Sequence, residues 1–234
     1  MSKLKYRNEI KYLISDNEVQ IIRRQLESFM SIDENAKNGI YTISSLYFDD
    51  YFDNAYYDVD DGLDLKNKYR IRIYDHQDDM IRLECKHKKN AMTAKRSCIL
   101  TKEAAEILCQ GNYLRWISSQ PQVLKELTYK MMTEAYKPAV IVEYERIPFV
   151  YKLGNVRITL DTNIVSSTNT KDFLNGFGFR RPVLPLGKHL LEVKYDEFLP
   201  DFIYACLRDM NLEQISFSKY YLCRKYNVNG GFFL

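Results

Sequence analysis

Charged side chains recur at every second position in several short runs of this 234-residue chain, the spacing that gathers them on one face of a β-strand. In RNEIKYLI, Arg7, Glu9 and Lys11 share a face opposite Ile10 and Tyr12, and in YRIRIY, Arg70 and Arg72 lie opposite Ile71 and Ile73. The run IRLECKHKK sets Arg82, Glu84, Lys86 and Lys88 against Ile81, Leu83 and Cys85. Tyr144 and Arg146 share a face in VEYER, Arg157, Thr159 and Asp161 in VRITLD, and Glu192 and Lys194 in LLEVKY. Any one of these runs is also what the solvated side of an antiparallel sheet looks like. Together they are cationic, ten Lys and Arg against Glu9, Glu84, Asp161 and Glu192.

The chain as a whole is nearly neutral, with 34 Lys+Arg and 31 Asp+Glu, so the excess must be offset elsewhere. The acidic run DDYFDNAYYDVDDGLD at 49–64 is expected to do this as a loop, its DVDDGLD stretch solvated. Like charges along a strand face and across to the next strand repel, which costs stability unless an anion joins them. Strands closing into a barrel with a polar interior and helices on its outer wall would make these cations converge. A polyphosphate suits that interior, because guanidinium groups bind phosphate oxygens bidentately and Lys adds mobile point charges. Lys88, Lys194 and Arg157 are candidate substrate contacts on this ground. Carboxylates among the cations contribute little to phosphate binding but can hold a hard divalent ion bridging phosphate oxygens, so Glu192 and Glu9 are metal candidates.

The elements that must position these residues are mostly strands. Ser15 and Glu18 form a capping box, followed by an apolar stripe at Val19, Ile22, Leu26 and Phe29, which predicts a helix over 15–30. Further helices are predicted from Thr101 to Gly111, over 122–135, and from Pro200 to Asn211. The remainder reads as strands, in one compact domain spanning 1–234 with no repeat or linker. Aromatic residues at 14% exclude a disordered chain. No window approaches the roughly 18 apolar residues of a membrane helix, and the charged start MSKLKYRNEIKYLI is unlike a signal peptide. A cytoplasmic protein is expected. Its five cysteines lack Cys-x-x-Cys spacing and are expected to be reduced and buried.

These motifs carry a family resemblance. Arg-x-Glu-x-Lys at 7–11, SLYFDD at 45–50, YRIRIY at 69–74, LECKHK at 83–88, YER at 144–146, LDT at 160–162, LLEVKYDEFLP at 190–200 and SFSKYYLCR at 216–224 resemble, in order and combination, the catalytic domain of the vacuolar transporter chaperone polyphosphate polymerases. Those enzymes belong to the triphosphate tunnel metalloenzymes. The resemblance covers essentially the whole chain and implies an α+β fold, an eight-stranded antiparallel tunnel. In it ATP or another nucleoside triphosphate meets a growing inorganic polyphosphate, with Mn2+ or Mg2+ as cofactor. It implies that Lys11, Arg70, Arg72, Lys86 and Arg146 grip phosphate, that Tyr144 and Ser218 hydrogen-bond it, that Lys219 serves the chain-terminal end and that Glu192 binds metal. Lys95, within KKNAMTAKRS, resembles a tunnel-mouth lysine. Arg7 stands where many tunnel hydrolases and cyclases carry glutamate, which favours polymerase over triphosphatase chemistry. No membrane segment or sensor domain of the eukaryotic enzymes accompanies these motifs, and further protein partners are left open.

Three rival readings stay open. A tunnel triphosphatase would share the walls and release orthophosphate, and a nucleotide cyclase would release a cyclic nucleotide. A non-catalytic module would bind polyphosphate or RNA with tyrosines as stacking platforms, but the tyrosines are dispersed and no RNA-recognition signature appears, so no nucleic acid partner is expected. The tyrosines are instead expected to pack mostly against the helices. His76, His87 and His189 lack ligand spacing and suit packing or surface roles. NGFGFRR lacks the phosphate-binding Gly-x-x-x-x-Gly-Lys pattern and reads as a turn, and DVDDGLD lacks calcium-loop spacing.

Overall fold

Period-two alternation builds a wall that is apolar outside and charged inside. The computed structural model describes residues 5–60, 65–89, 92–115, 117–175, 178, 180–216 and 218–229. Its strands are β1 (Arg7–Ser15), β2 (Ser31–Ile32), β3 (Tyr41–Asp49), β4 (Leu65–Tyr74), β5 (Gln77–Lys89), β6 (Met92–Leu100), β7 (Lys137–Tyr151), β8 (Val156–Ser167), β9 (Arg181–Pro182), β10 (Lys188–Tyr195) and β11 (Glu213–Gln214). The helices are α1 (Asp16–Glu27), α2 (Asn54–Asp60), α3 (Lys102–Cys109), α4 (Gln122–Thr133), α5 (Asp201–Arg208) and α6 (Lys219–Asn229). Eight antiparallel strands run β7-β3-β4-β5-β6-β1-β10-β8, and β8 pairs back to β7 to close the ring. This is the expected α+β closed barrel. The β4–β5 turn places Asp75 and His76 at φ 49° and 57°, as a tight two-residue hairpin requires. Among the described residues the thinnest seam is β6–β1, paired at Arg7–Thr93 and Asn8–Met92.

Helices cover the outward faces. Tyr69, Ile71, Ile81, Leu83 and Cys85 lie under Ala105 and Leu108 of α3 and Leu124 and Leu127 of α4. On the other flank, Ile158, Leu160, Leu191 and Val193 meet Val19, Ile22 and Leu26 of α1 and Ile203 and Leu207 of α5. The four predicted helices form, each slightly shorter than expected, and Ser15 and Glu18 make the reciprocal capping box.

Two helices depart from the expected strands and coil. The segment 54–60 within the acidic run is α2, and 219–229 is α6. The wall-facing helices have a clean apolar stripe, but α6 packs Tyr220 and Cys223 against the inward residues Tyr47, Val140, Val142, Tyr144 and Leu190. It therefore enters the barrel end and does not lie on the outer wall, and a helix that meets both apolar and charged bore residues shows no simple 3.6-residue stripe.

The start of the acidic run is tied into the fold. Asp49 and Asp50 are buried, and Asp49 accepts hydrogen bonds from the Ala55 amide (2.9 Å), the Tyr56 amide (3.2 Å) and the Tyr220 hydroxyl. These bonds fix the start of α2 and tie it to α6. Residues 61–64 of that run, and part of NGFGFRR, lie outside the described residues. All five cysteines are free, with Cys85, Cys109 and Cys223 buried and Cys98 and Cys206 partly so. No helix of the described residues is long and apolar enough to cross a membrane.

Candidate active site

Closure of the ring turns the charged strand faces onto one cavity of about 890 Å3. Lys11, Arg70, Arg72, Lys86, Arg146 and Lys219 all line it, as do Tyr144, Ser218, Lys95, Lys88, Lys194, Arg157, Glu192 and Glu9. Arg82, on the same strand face as Lys86, does not reach it and turns its guanidinium to the Met80 sulfur (3.2 Å).

Four carboxylates organise the bore. Glu84, fully buried, receives Arg70 (2.7 Å), Lys95 (2.5 Å) and, at 3.8 Å, Arg72. Glu9 receives Lys11 (2.8 Å), Lys86 (2.9 Å) and the Thr93 hydroxyl (3.2 Å). Asp161 is held bidentately by Arg146 (2.6 and 2.7 Å) and by Lys219 (2.6 Å). Glu192 pairs with Lys194, with Lys219 at 3.9 Å and Arg146 at 4.0 Å. These four carboxylates thus bridge eight of the inward cations, Lys11, Arg70, Arg72, Lys86, Lys95, Arg146, Lys194 and Lys219, while the bore as a whole stays net positive.

Burial alone would raise the pKa of Glu9, but Lys86, Lys11 and Lys194 outweigh it and, against repulsion from Glu192, hold the carboxyl well below the usual range. Burial likewise opposes ionisation of Glu192 and Glu84, and their surrounding cations again prevail. Burial pushes Lys86 down to about 8, with Lys11 and Lys194 adding repulsion against the attraction of Glu9. It does so although 29% of the Lys86 side chain is accessible to water within the bore. Burial would raise the Tyr144 phenol, yet Arg146, Arg72 and Lys219 lower it. Arg146 and Lys219 also cover its ring, at 5.2 and 4.8 Å from the centroid.

Further residues complete the bore. Lys68 continues the period-two run of Arg70 and Arg72 on β4 and contacts the Ser218 hydroxyl (3.1 Å). Glu84 and Asp161 lie on the cationic faces but only the structure shows that each gathers several cations. Tyr41, Tyr47, Tyr74 and Tyr220 also line the cavity. Tyr47 accepts from Arg70 (2.7 Å) and Tyr41 from Arg157 (2.9 Å). The histidines make separate local contacts: His189 with Asp16, His76 with Glu143 and His87 with Asn67.

The fold has known relatives. A protein from Bacillus halodurans proposed to be an adenylate cyclase has 13% identity and a TM-score of 0.54, over 92% of this chain and 95% of that one. The PH1819 protein of Pyrococcus horikoshii OT3 has 14% identity and a TM-score of 0.50, over 92% and 97%. At such identities the likeness is one of fold. No curated protein matches the sequence. The VTC domain family, however, matches residues 6–227, nearly the entire length. With its closed barrel and cation-lined bore, the chain belongs to the VTC domain family and has the fold of a triphosphate tunnel.

Proposed function

We propose that the protein is a metal-dependent polyphosphate polymerase, transferring the γ-phosphoryl group of ATP or another nucleoside triphosphate to the end of an inorganic polyphosphate. The observation that carries this reading is the convergence of Arg70, Arg72, Lys86, Arg146, Lys194 and Lys219 on one enclosed bore. Two polyanions repel each other, and only such a concentration of cations brings their ends into contact.

In the transfer, a terminal oxygen of the polymer bonds to the γ-phosphorus. The bond from that phosphorus to the β–γ bridging oxygen breaks, and its electron pair leaves with ADP. The attacking oxygen is already anionic, so no general base is required, and catalysis rests on alignment and on charge placed at the transferring group and leaving diphosphate. Arg70, Arg72 and Arg146 supply fixed guanidinium forks, and Lys11, Lys86 and Lys219 supply point charges. Tyr144 and Ser218 add hydroxyl donors.

Glu9 and Glu192 fit a hard divalent ion. They stand diagonally across the β1–β10 pair, where Glu9 faces Lys194 and Lys11 faces Glu192, and both are kept ionised. Among the described residues no group of three His, Cys, Asp or Glu is placed to hold a metal by itself, so phosphate oxygens and water would complete the six ligands of Mn2+ or Mg2+. The ion would supply Lewis-acid charge to donor phosphate oxygens.

Purified protein with ATP and Mn2+, resolved on a polyphosphate gel with ADP and free phosphate measured in parallel, tests the proposal. A ladder with matching ADP is expected. ADP with orthophosphate and no ladder would convert the reading to a triphosphatase.

A further inference from the structure

The bore differs chemically at its two ends. Tyr41 opens β3, Tyr74 closes the antiparallel β4, and their rings meet edge to face with centroids 5.7 Å apart. Arg157, at the start of β8, joins them and is neutralised by Asp33 at 2.8 Å. Six residues back along β4, about 20 Å of strand, the wall carries Lys68. Lys68 faces Lys86 directly across β4–β5, and Lys86 faces Lys95 directly across β5–β6. Three lysines in one cross-strand row, with Lys86 paired to Glu9, Lys95 to Glu84 and Lys68 on the Ser218 hydroxyl, form a surface that a chain of phosphates would complete.

The aromatic faces differ in the same sense. Lys68 lies 4.8 Å from the Tyr220 ring centroid, Arg70 5.6 Å from that of Tyr47, and Arg146 and Lys219 cover Tyr144. Among the described residues no cation lies over Tyr41 or Tyr74. Tyr41 is fixed by the Arg157 hydrogen bond, while Tyr74 is half-buried and lines the cavity. Within this mouth the Arg157 Nε is buried and has no hydrogen-bond partner.

We infer that the mouth formed by Tyr41, Tyr74 and Arg157 is a nucleobase site: the base stacks on Tyr74, and the triphosphate points inward past Arg72 and Arg146. The polymer then occupies the lysine-lined end near Lys68, Lys86 and Lys95. This polarity rests on the bore accepting a nucleoside triphosphate. Tyr74 and Arg70 are four residues apart on β4, about 13 Å of strand, so a base at the mouth leaves its terminal phosphate deep among the cations. A neutral aromatic mouth suits the one part of the substrate pair that carries no phosphate, and stacking tolerates any base.

Calorimetric titration with two probes tests it without turnover: the β,γ-imido analogue of ATP and inorganic tripolyphosphate. Tyr74→Ala should weaken the analogue roughly 5- to 150-fold, the size of one lost base–aromatic stack, and leave tripolyphosphate binding unchanged. Unchanged tripolyphosphate binding also reports an intact bore. Tyr74→Trp should restore the analogue, which a merely structural tyrosine would not predict. Equal weakening of both probes, or an unaffected analogue, overturns the nucleobase site. If the unmodified protein binds tripolyphosphate but not the analogue, the polarity fails and the polyanion tunnel stands. If it binds neither, the proposed function fails and the polarity with it.

Discussion

Replacing Glu84 by Gln removes the one anion that Arg70, Arg72 and Lys95 share, with little change of shape. Glu84 is fully buried and held well below the usual carboxylate range. Breaking a buried ion pair from one side costs about 3–5 kcal/mol, and since Lys95 keeps 45% of its side chain exposed the cost here should fall to about 2–4 kcal/mol. The same vacancy should favour a polyanion. One added net positive charge about 6 Å from a bound phosphate, at an effective dielectric of about 20, contributes about 2.8 kcal/mol, or up to about 100-fold in affinity. Urea unfolding with and without tripolyphosphate measures both effects. Glu84→Gln should be less stable alone, bind tripolyphosphate more tightly, and recover most of its loss at saturation, with the gain shrinking in high salt. A destabilised variant with unchanged tripolyphosphate affinity would refute the reasoning, because it would mean that water and mobile ions already screen these cations.

Other perturbations reach other parts of the bore. Arg70→Ala should lower polymer formation by about 10²–10³-fold, as loss of one preorganised charge donor does, whereas Arg82→Ala, outside the cavity, should leave the rate unchanged. Lys86 has its pKa lowered to about 8, so tripolyphosphate affinity should be flat below that pH. Above it, affinity should fall by up to about tenfold per unit as the free protein must take up a proton to bind; Lys86→Met should flatten the profile. The same lowered pKa means that burying the Lys86 ammonium costs stability below about pH 8, a cost relieved as pH rises toward the unfolded value. Tyr220→Phe removes a donor to buried Asp49 and should cost about 1–3 kcal/mol in urea unfolding.

Much of the barrel was legible because strand alternation is local. YRIRIY and IRLECKHKK state in their own residues which side faces the helices, and Ser15 with Glu18 marks a helix start before any tertiary contact exists. Closure is not local. Whether Arg72 and Arg146 meet across a bore depends on the Tyr41–Arg146 and Ile43–Tyr74 registers, which join segments about a hundred residues apart at their extremes and leave no trace in either segment alone. Helix α6 escaped for a related reason: Lys219 reaches Asp161 while its neighbour Tyr220 packs on Tyr47, so the charged and apolar sides follow the bore and not a stripe. The five bore tyrosines carry no sequence mark of their own, because a ring at period two looks the same whether it meets a helix or a ligand.

The pairing of charges inside the bore also changes what binding means. A wall of unpaired cations would fold poorly by itself and would grip a polyphosphate too firmly for the chain to advance. Here Arg146 and Lys219 already hold Asp161, and Lys86 and Lys11 already hold Glu9. An entering phosphate therefore exchanges one set of ion pairs for another, and its affinity is the difference between them. Because successive phosphates of a polymer are identical, on the proposed polymerase reading each step of a chain along Lys68, Lys86 and Lys95 would make the same exchange in reverse behind it, so that translocation would be close to neutral in free energy. On that reading the carboxylates among the cations would permit the movement, and the gain in tripolyphosphate affinity expected for Glu84→Gln is the measure of how much grip they hold back.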